Sequence, residues 1–132
     1  MYLMTQSRLE VDSAGVKRWL DDNHFFHRED GPAVEHVNGY AWWNHGNLHR
    51  VDGPAVERYN DKYRAWYVNG KCHRLDGPAV EYVDGLRHWY INGKYVLREN
   101  FPKAVVMFLF NCDEQTAQLI LDVLNDTIYT YN

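Results

Sequence analysis

One nine-residue segment, His-Arg-x-Asp-Gly-Pro-Ala-Val-Glu, is written three times in this chain, at positions 27–35, 49–57 and 73–81, with starts 22 and 24 residues apart. Self-similarity at such a period signals a repeat array, in which each unit buries its apolar face only against its neighbours. The repetition also limits the chemistry. A catalytic group is normally needed once, so a residue placed three times in register reads first as structural.

The repeat extends beyond this box. Trp19, Trp42, Trp66 and Trp89 are spaced 23, 24 and 23 residues apart, and each precedes an apolar or aromatic follower: Leu20, Trp43, Tyr67 and Tyr90. A turn signal comes next: Asp22-Asn23, His45-Gly46, Asn69-Gly70 and Asn92-Gly93. A second set, Asn38-Gly39, Asn60-Asp61 and Asp84-Gly85, lies between each box and the following Trp. Asn-Gly and Asp-Gly between short Val- and Tyr-rich stretches predict hairpins, because type I′ turns need positive φ at both central residues. The pattern predicts an antiparallel meander with about two strands per repeat. Leu9-Glu10-Val11 with Ala14-Gly15 reads as a worn half-repeat upstream. Leu97-Arg98-Glu99-Asn100-Phe101-Pro102 reads as a decayed fourth box, as expected where an array must be capped.

After Pro102 the period changes. Val105, Phe108, Leu109 and Cys112 follow helical spacing, with Pro102 in the first turn. Asn111 with Glu114 resembles a capping box, followed by an apolar stripe of Ala117, Ile120, Leu121 and Leu124. The last six residues read as a short strand or frayed end. The expected fold is therefore mainly β with C-terminal α. A single domain, 1–132, would comprise a hairpin-repeat sheet over 9–101 and a helical cap over 102–132.

Neighbouring strand residues face opposite ways. The four tryptophans thus predict one aromatic ladder and their followers a second on the other side. The helical hairpin can cover one face; the other is a candidate surface, with Trp43, Tyr67 and Tyr90 as its exposed aromatics and Arg28, Arg50 and Arg74 as polar contacts. Asp-Gly-Pro reads as a kink between hairpins, its Gly reaching angles closed to other residues. The box arginines are expected to pair with nearby Asp or Glu.

Several chemistries are excluded. Strands lie about 4.8 Å apart, so equivalent histidines stand roughly 10 Å apart, too far to share one zinc, whose ligand nitrogens lie about 2.0–2.1 Å from the metal; no metal or cofactor is expected. His-Arg-x-Asp differs in spacing from the kinase catalytic loop, and no glycine-rich loop, nucleophile elbow or dinucleotide fingerprint accompanies it. A formal charge of −4 gives no basic footprint for nucleic acid, which leaves a single-stranded nucleic-acid binder using the aromatics and box arginines as the weaker alternative. Aromatics reach 15%, which suits a core and an interface equally well. Cys72 and Cys112 are expected as reduced thiols, no apolar run is long enough to span a bilayer, and cytosol is the expected compartment.

The unit Trp-Tyr-x-Asn-Gly-Lys-x-His-Arg-x-Asp-Gly-Pro-Ala-Val-Glu, best written at 66–81, resembles the MORN-variant repeats of small bacterial and bacteriophage proteins. The resemblance covers roughly residues 9–102. It implies successive β-hairpins and an interaction scaffold rather than an enzyme. The chain departs from the usual pattern by inserting Arg-x-Asp between His and Gly, so no ligand assignments are carried over. The repeat's composition also resembles that of proteins from large phage genomes. The expectation is a non-enzymatic protein-interaction module; if phage-borne, it would act on a host defence or regulatory protein. The alternatives are a purely structural or self-assembling array, joined through a sheet edge near 128–131, and a hydrolase built on one histidine with nearby carboxylates.

Overall fold

The computed structural model describes the backbone of residues 7–130 and the side chains of residues 7–126. Thirteen short strands precede two helices: β1 (Arg8–Val11), β2 (Lys17–Leu20), β3 (Val34–His36), β4 (Gly39–Ala41), β5 (Trp43–Asn44), β6 (Asn47–Leu48), β7 (Val56–Arg58), β8 (Tyr63–Ala65), β9 (Tyr67–Val68), β10 (Lys71–Cys72), β11 (Val80–Glu81), β12 (Arg87–Ile91), β13 (Lys94–Val96), α1 (Phe101–Phe110) and α2 (Glu114–Thr130), with a 3₁₀ turn over Arg98–Asn100. Nine strands form one antiparallel sheet in the order β1-β2-β3-β4-β7-β8-β11-β12-β13. The expected meander with a C-terminal helical hairpin is what forms. No helix among the described residues is long and apolar enough to cross a membrane.

The repeat is richer than two strands. Each central unit makes two hairpins. The longer one enters the main sheet, while β5-β6 and β9-β10 leave it as separate two-stranded ribbons. In the two central units the strand breaks at Trp42 and Trp66, whereas β2 runs on through Trp19. Trp42 N–H donates to the Ala55 carbonyl at 2.7 Å and its carbonyl accepts the His49 N–H at 3.0 Å; Trp19 and Trp66 repeat this with Ala33 and His27, and with Ala79 and His73. No further Pro-Ala-Val box follows Trp89, so no box alanine captures its N–H. There β12 runs unbroken and pairs Trp89 with Val96.

The turns divide into two classes. His45-Gly46, Asn69-Gly70 and Asn92-Gly93 have φ of 44° and 84°, 50° and 78°, and 51° and 81°, the type I′ signature expected from sequence. The turns of the longer hairpins differ from expectation. His36 pairs with Gly39, so that turn is Val37-Asn38, one residue earlier than predicted, and Gly39 opens β4 where a Cβ would run into the Glu57 carbonyl. Arg58 pairs with Tyr63, which makes the next turn a four-residue loop with Lys62 at φ 48°. The worn first unit is a complete hairpin: Asp12 N–H donates to Val16 O at 3.2 Å, as Tyr82 N–H does to Leu86 O at 3.0 Å.

The core is thin. Ala33, Ala55, Ala65 and Ala79 are wholly buried, flanked by Val16, Leu20, Val80 and Ile91, and among the described residues no large side chain is completely enclosed. Small residues let successive strands and ribbons close on one another. The five tryptophans stay half-buried around this seam.

The array ends where the box fails. Arg98 keeps its place, but Phe101 stands where the other boxes have Gly, and α1 begins there with Pro102 in its first turn. Phe101 packs on Trp89, with ring centroids 6.4 Å apart, and α1 packs on β12 and α2. Two expectations are corrected. The buried residue of α1 is Val106, whereas Phe108 and Leu109 are exposed, so the stripe is rotated from the predicted one. Asn111 does not cap α2; it closes α1 in the left-handed conformation at φ 48°. The α2 cap is Asp113, whose Oδ1 accepts the Thr116 N–H at 2.8 Å. Residues 127–130 continue α2 instead of forming a strand, while Tyr131, Asn132 and positions 1–6 lie outside the described residues.

Candidate functional site

The box arginine folds back over its own unit's tryptophan. The guanidinium carbons of Arg28, Arg50 and Arg74 lie 3.9, 4.3 and 3.9 Å from the ring centroids of Trp19, Trp42 and Trp66. Each Nε donates to the box Asp (Asp30, Asp52, Asp76) at 2.9, 2.9 and 2.8 Å. Each Nη1 donates to the box Pro carbonyl at 3.2, 3.2 and 3.0 Å. The guanidinium holds all three Asp carboxyls below the usual carboxylate range. The expected Arg–carboxylate pairing is thus present, extended to Glu35 and Glu81 at 3.0 and 3.4 Å. Glu57 instead accepts from Tyr40 Oη at 2.6 Å and Arg64 at 3.2 Å.

This arrangement corrects the account of the box glycine. Gly31, Gly53 and Gly77 are absent from the positive-φ glycines, so their backbone does not demand Gly. The guanidinium does: a Cβ at each would sit 2.9 Å from the Cζ of Arg28, Arg50 or Arg74. The fourth unit shows the converse. With Phe101 in the glycine's place, Arg98 stands back at 5.7 Å from Trp89.

The box histidines are couplers between units. Nδ1 of His27, His49 and His73 accepts the backbone N–H of His45, Asn69 and Asn92 at 3.1, 3.0 and 2.8 Å. Each acceptor meets the first residue of the next unit's type I′ turn, at positive φ. Accepting at Nδ1 puts the proton of the neutral ring on Nε2. Burial holds His73 below the usual imidazole range. Among the described residues no group of three or more His, Cys, Asp or Glu is placed to hold a metal ion.

The first junction breaks the pattern. Asp21, whose side chain is 4% exposed, accepts the N–H groups of Asn23 and Phe25 on Oδ1 at 2.9 and 3.0 Å. Its Oδ2 lies 2.7 Å from His45 Nδ1, and this contact, ahead of the backbone donors, holds the Asp21 carboxyl below its ordinary range. An ionised carboxylate only accepts, so His45 donates from Nδ1, which in the neutral ring leaves its Nε2 lone pair free, opposite to the three box histidines. His45 stacks on His27 with centroids 3.7 Å apart and planes 13° apart. Two buried donors here lack an acceptor among the described residues: His27 Nε2 and Trp43 Nε1. Glu29 Oε1 stands 3.7 Å from the former, beyond hydrogen-bond reach. Later units carry Tyr67 and Tyr90 in place of Trp43, and Asn69 and Asn92 in place of His45.

Successive boxes enclose grooves. The first, about 600 Å³, is lined by His27, Glu29, Trp42, Trp43, His45 and Val51 among others. The second, about 570 Å³, is lined by Val51, Trp66, Val68, His73, Leu75 and Asp76 among others. Arg50, Val51 and Asp52 form the wall between them. A signal present in the sequence but absent from the expectations becomes legible. The single box position that differs between copies, occupied by Glu29, Val51 and Leu75, lines the grooves together with the invariant His, Arg and Asp of the box. Val51 is 82% exposed there.

The candidate residues named from sequence separate. Trp43 is half-buried, packs on Phe26 at 5.4 Å and lines the first groove. Tyr67 and Tyr90 are also half-buried and do not form an open platform with it. Tyr90 packs on Tyr95 at 5.6 Å. Burial raises the Tyr67 hydroxyl, the Tyr63 hydroxyl to about 12 and the Cys72 thiol to about 11. Arg28, Arg50 and Arg74 border the grooves but are committed to the box. Comparison with protein-family models, curated proteins and solved structures finds no match to this chain.

Proposed function

We propose that the chain is a non-enzymatic protein-binding module whose working surface is the row of grooves between successive boxes. The observation that carries this reading is the division within the box. Eight of nine positions are identical in three copies; the ninth varies as Glu29, Val51 and Leu75 and lines the grooves beside the invariant His, Arg and Asp. Repeat arrays use their extended surfaces for recognition in this way. The resemblance to phage repeats directs the search for a partner to bacterial host proteins. The test is capture from host lysate by the immobilised chain, repeated with Val51→Lys. Reproducible capture lost on this one substitution, with melting unchanged, supports the reading; capture indifferent to Val51→Lys contradicts it.

The nucleic-acid alternative loses ground. The box arginine side chains are about one-fifth exposed, stacked on Trp and paired with carboxylates, so they are poorly placed to release counterions from phosphates. A second reading rests on the helical hairpin, where Leu109, Phe110 and Leu119 are 60%, 63% and 66% exposed. An apolar surface of that kind marks an interaction site, and light scattering of wild type against Leu119→Lys tests self-association through it.

A further inference from the structure

Resting on the groove reading above, we propose that the occupant of the grooves is a proline-rich segment in the polyproline II conformation, seating one side chain per groove at every third position. Three observations converge on this chemistry.

The first is spacing. Each repeat adds two strands to the main sheet, so equivalent features recur about 9.6 Å apart. A polyproline II helix has three residues per turn at about 3.1 Å each, so it presents the same face about every 9.3 Å. An extended β-strand fits less well: three residues cover the distance, but side chains i and i+3 then point to opposite faces. An α-helix rises only about 5.4 Å per turn.

The second is the lining. Trp42 and Trp43 flank the first groove and Trp66 the second, with Val51 beside both and Leu75 beside the second; one face of Trp42 and of Trp66 is covered by its own box arginine. Polyproline II segments are recognised in aromatic-lined grooves, where their preformed shape lowers the ordering cost.

The third is hydrogen bonding. A polyproline II backbone makes no internal hydrogen bonds, so its carbonyls are all unpaired. In the first groove His27 and Trp43 are lining residues, and their Nε2 and Nε1 donors lack acceptors among the described residues; both atoms are enclosed, so side chains must move to admit a ligand. Peptide carbonyls are the acceptors those donors need. Reaching His27 requires the partly exposed Glu29 side chain, 3.7 Å from Nε2, to swing aside.

The experiment uses the full chain and two synthetic, labelled peptides of equal length. One carries four Leu-Pro-Pro triplets and the other three Leu-Pro-Pro-Pro quartets, each titrated by fluorescence anisotropy. The proposal expects saturable binding of the triplet peptide, about tenfold tighter than the quartet peptide, and a loss of about tenfold for the triplet peptide on Val51→Lys. Equal affinity for the two peptides, or no saturable binding of either, overturns the proline-rich occupant. The groove reading is separable: it stands if lysate capture still depends on Val51, and falls if capture does not.

Discussion

The joint between repeats makes a prediction in which the sign, as well as the size, is diagnostic. Gly53 does not have a positive φ, and Gly→Ala at a position whose angles Ala can adopt normally stabilises by about 0.4–1 kcal/mol through the unfolded chain. Here the new methyl would stand 2.9 Å from Arg50 Cζ and 3.1 Å from Nη1. The guanidinium is the end of a flexible side chain and yields, so the cost is what it leaves behind. Its stacking on Trp42 is worth about 0.5–2 kcal/mol, and its charged bond to the Pro54 carbonyl about 1.5–3 kcal/mol. The exposed contact with Asp52 is left out. Allowing partial retention and the entropic gain, Gly53→Ala should destabilise by about 1–3 kcal/mol, a fall in Tm of about 3–12 °C for a chain of this size. The assay is urea denaturation of a double-mutant cycle. In an Arg50→Ala background there is no guanidinium to displace, so the same Gly53→Ala change should become neutral or stabilising. A destabilisation of equal size in both backgrounds would refute the reasoning, as would a stabilising effect in the wild type.

Other outcomes follow from the same geometry. His27→Ala removes a nearly buried ring that holds the His45 N–H, and should cost about 2–4 kcal/mol in chemical denaturation. His49→Ala, whose equivalent bond is exposed, should cost about 1 kcal/mol; equal losses would contradict the burial difference. Asp113→Ala should cost about 1 kcal/mol as loss of an N-cap, while Asn111→Gly, already at positive φ, should cost nothing. The opposite order would restore Asn111 as the α2 cap. Stability should fall in two stages on acidification, followed by urea midpoints against pH. His73 has its pKa lowered by burial from 6.5, so below about that value the unfolded chain takes up a proton that the folded chain refuses. This stage should vanish in His73→Asn. Asp12, Asp21, Asp30, Asp52, Asp76 and Asp113 are all lowered from 3.8. Their contribution is present above that value and is lost as pH falls through the lower folded pKa values.

Much of the fold was legible because repetition averages out local ambiguity. The type I′ turns at Asn69-Gly70 and Asn92-Gly93 follow from chirality alone, and the helical hairpin follows from the change of period after Pro102. What was not legible depends on contacts between units. The strand breaks at Trp42 and Trp66 go with a hydrogen bond to an alanine in the following box, which no local window contains. The box glycine looked like a backbone requirement because Gly-Pro usually marks one; here it is cleared for a guanidinium placed three residues earlier. Asn111 and Asp113 are both plausible caps by composition, and only the left-handed geometry of Asn111 separates them. The site was obscured by attention to what repeats. The aromatic and arginine series are conspicuous, yet most of them build the array. The useful signal was the position that varies, together with the Asp21–His45 pair and Trp43, which occur at one junction.

The division between construction and recognition is tested most directly by one variant measured two ways. Val51, which is 82% exposed, is replaced by Ser, leaving all eight invariant positions of every box intact. The account predicts a melting temperature within about 2 °C of wild type, since a substitution away from structural features stays within about 0.5 kcal/mol, together with loss of partner capture. Retained capture, or a fall in melting as large as that of Gly53→Ala, would contradict it.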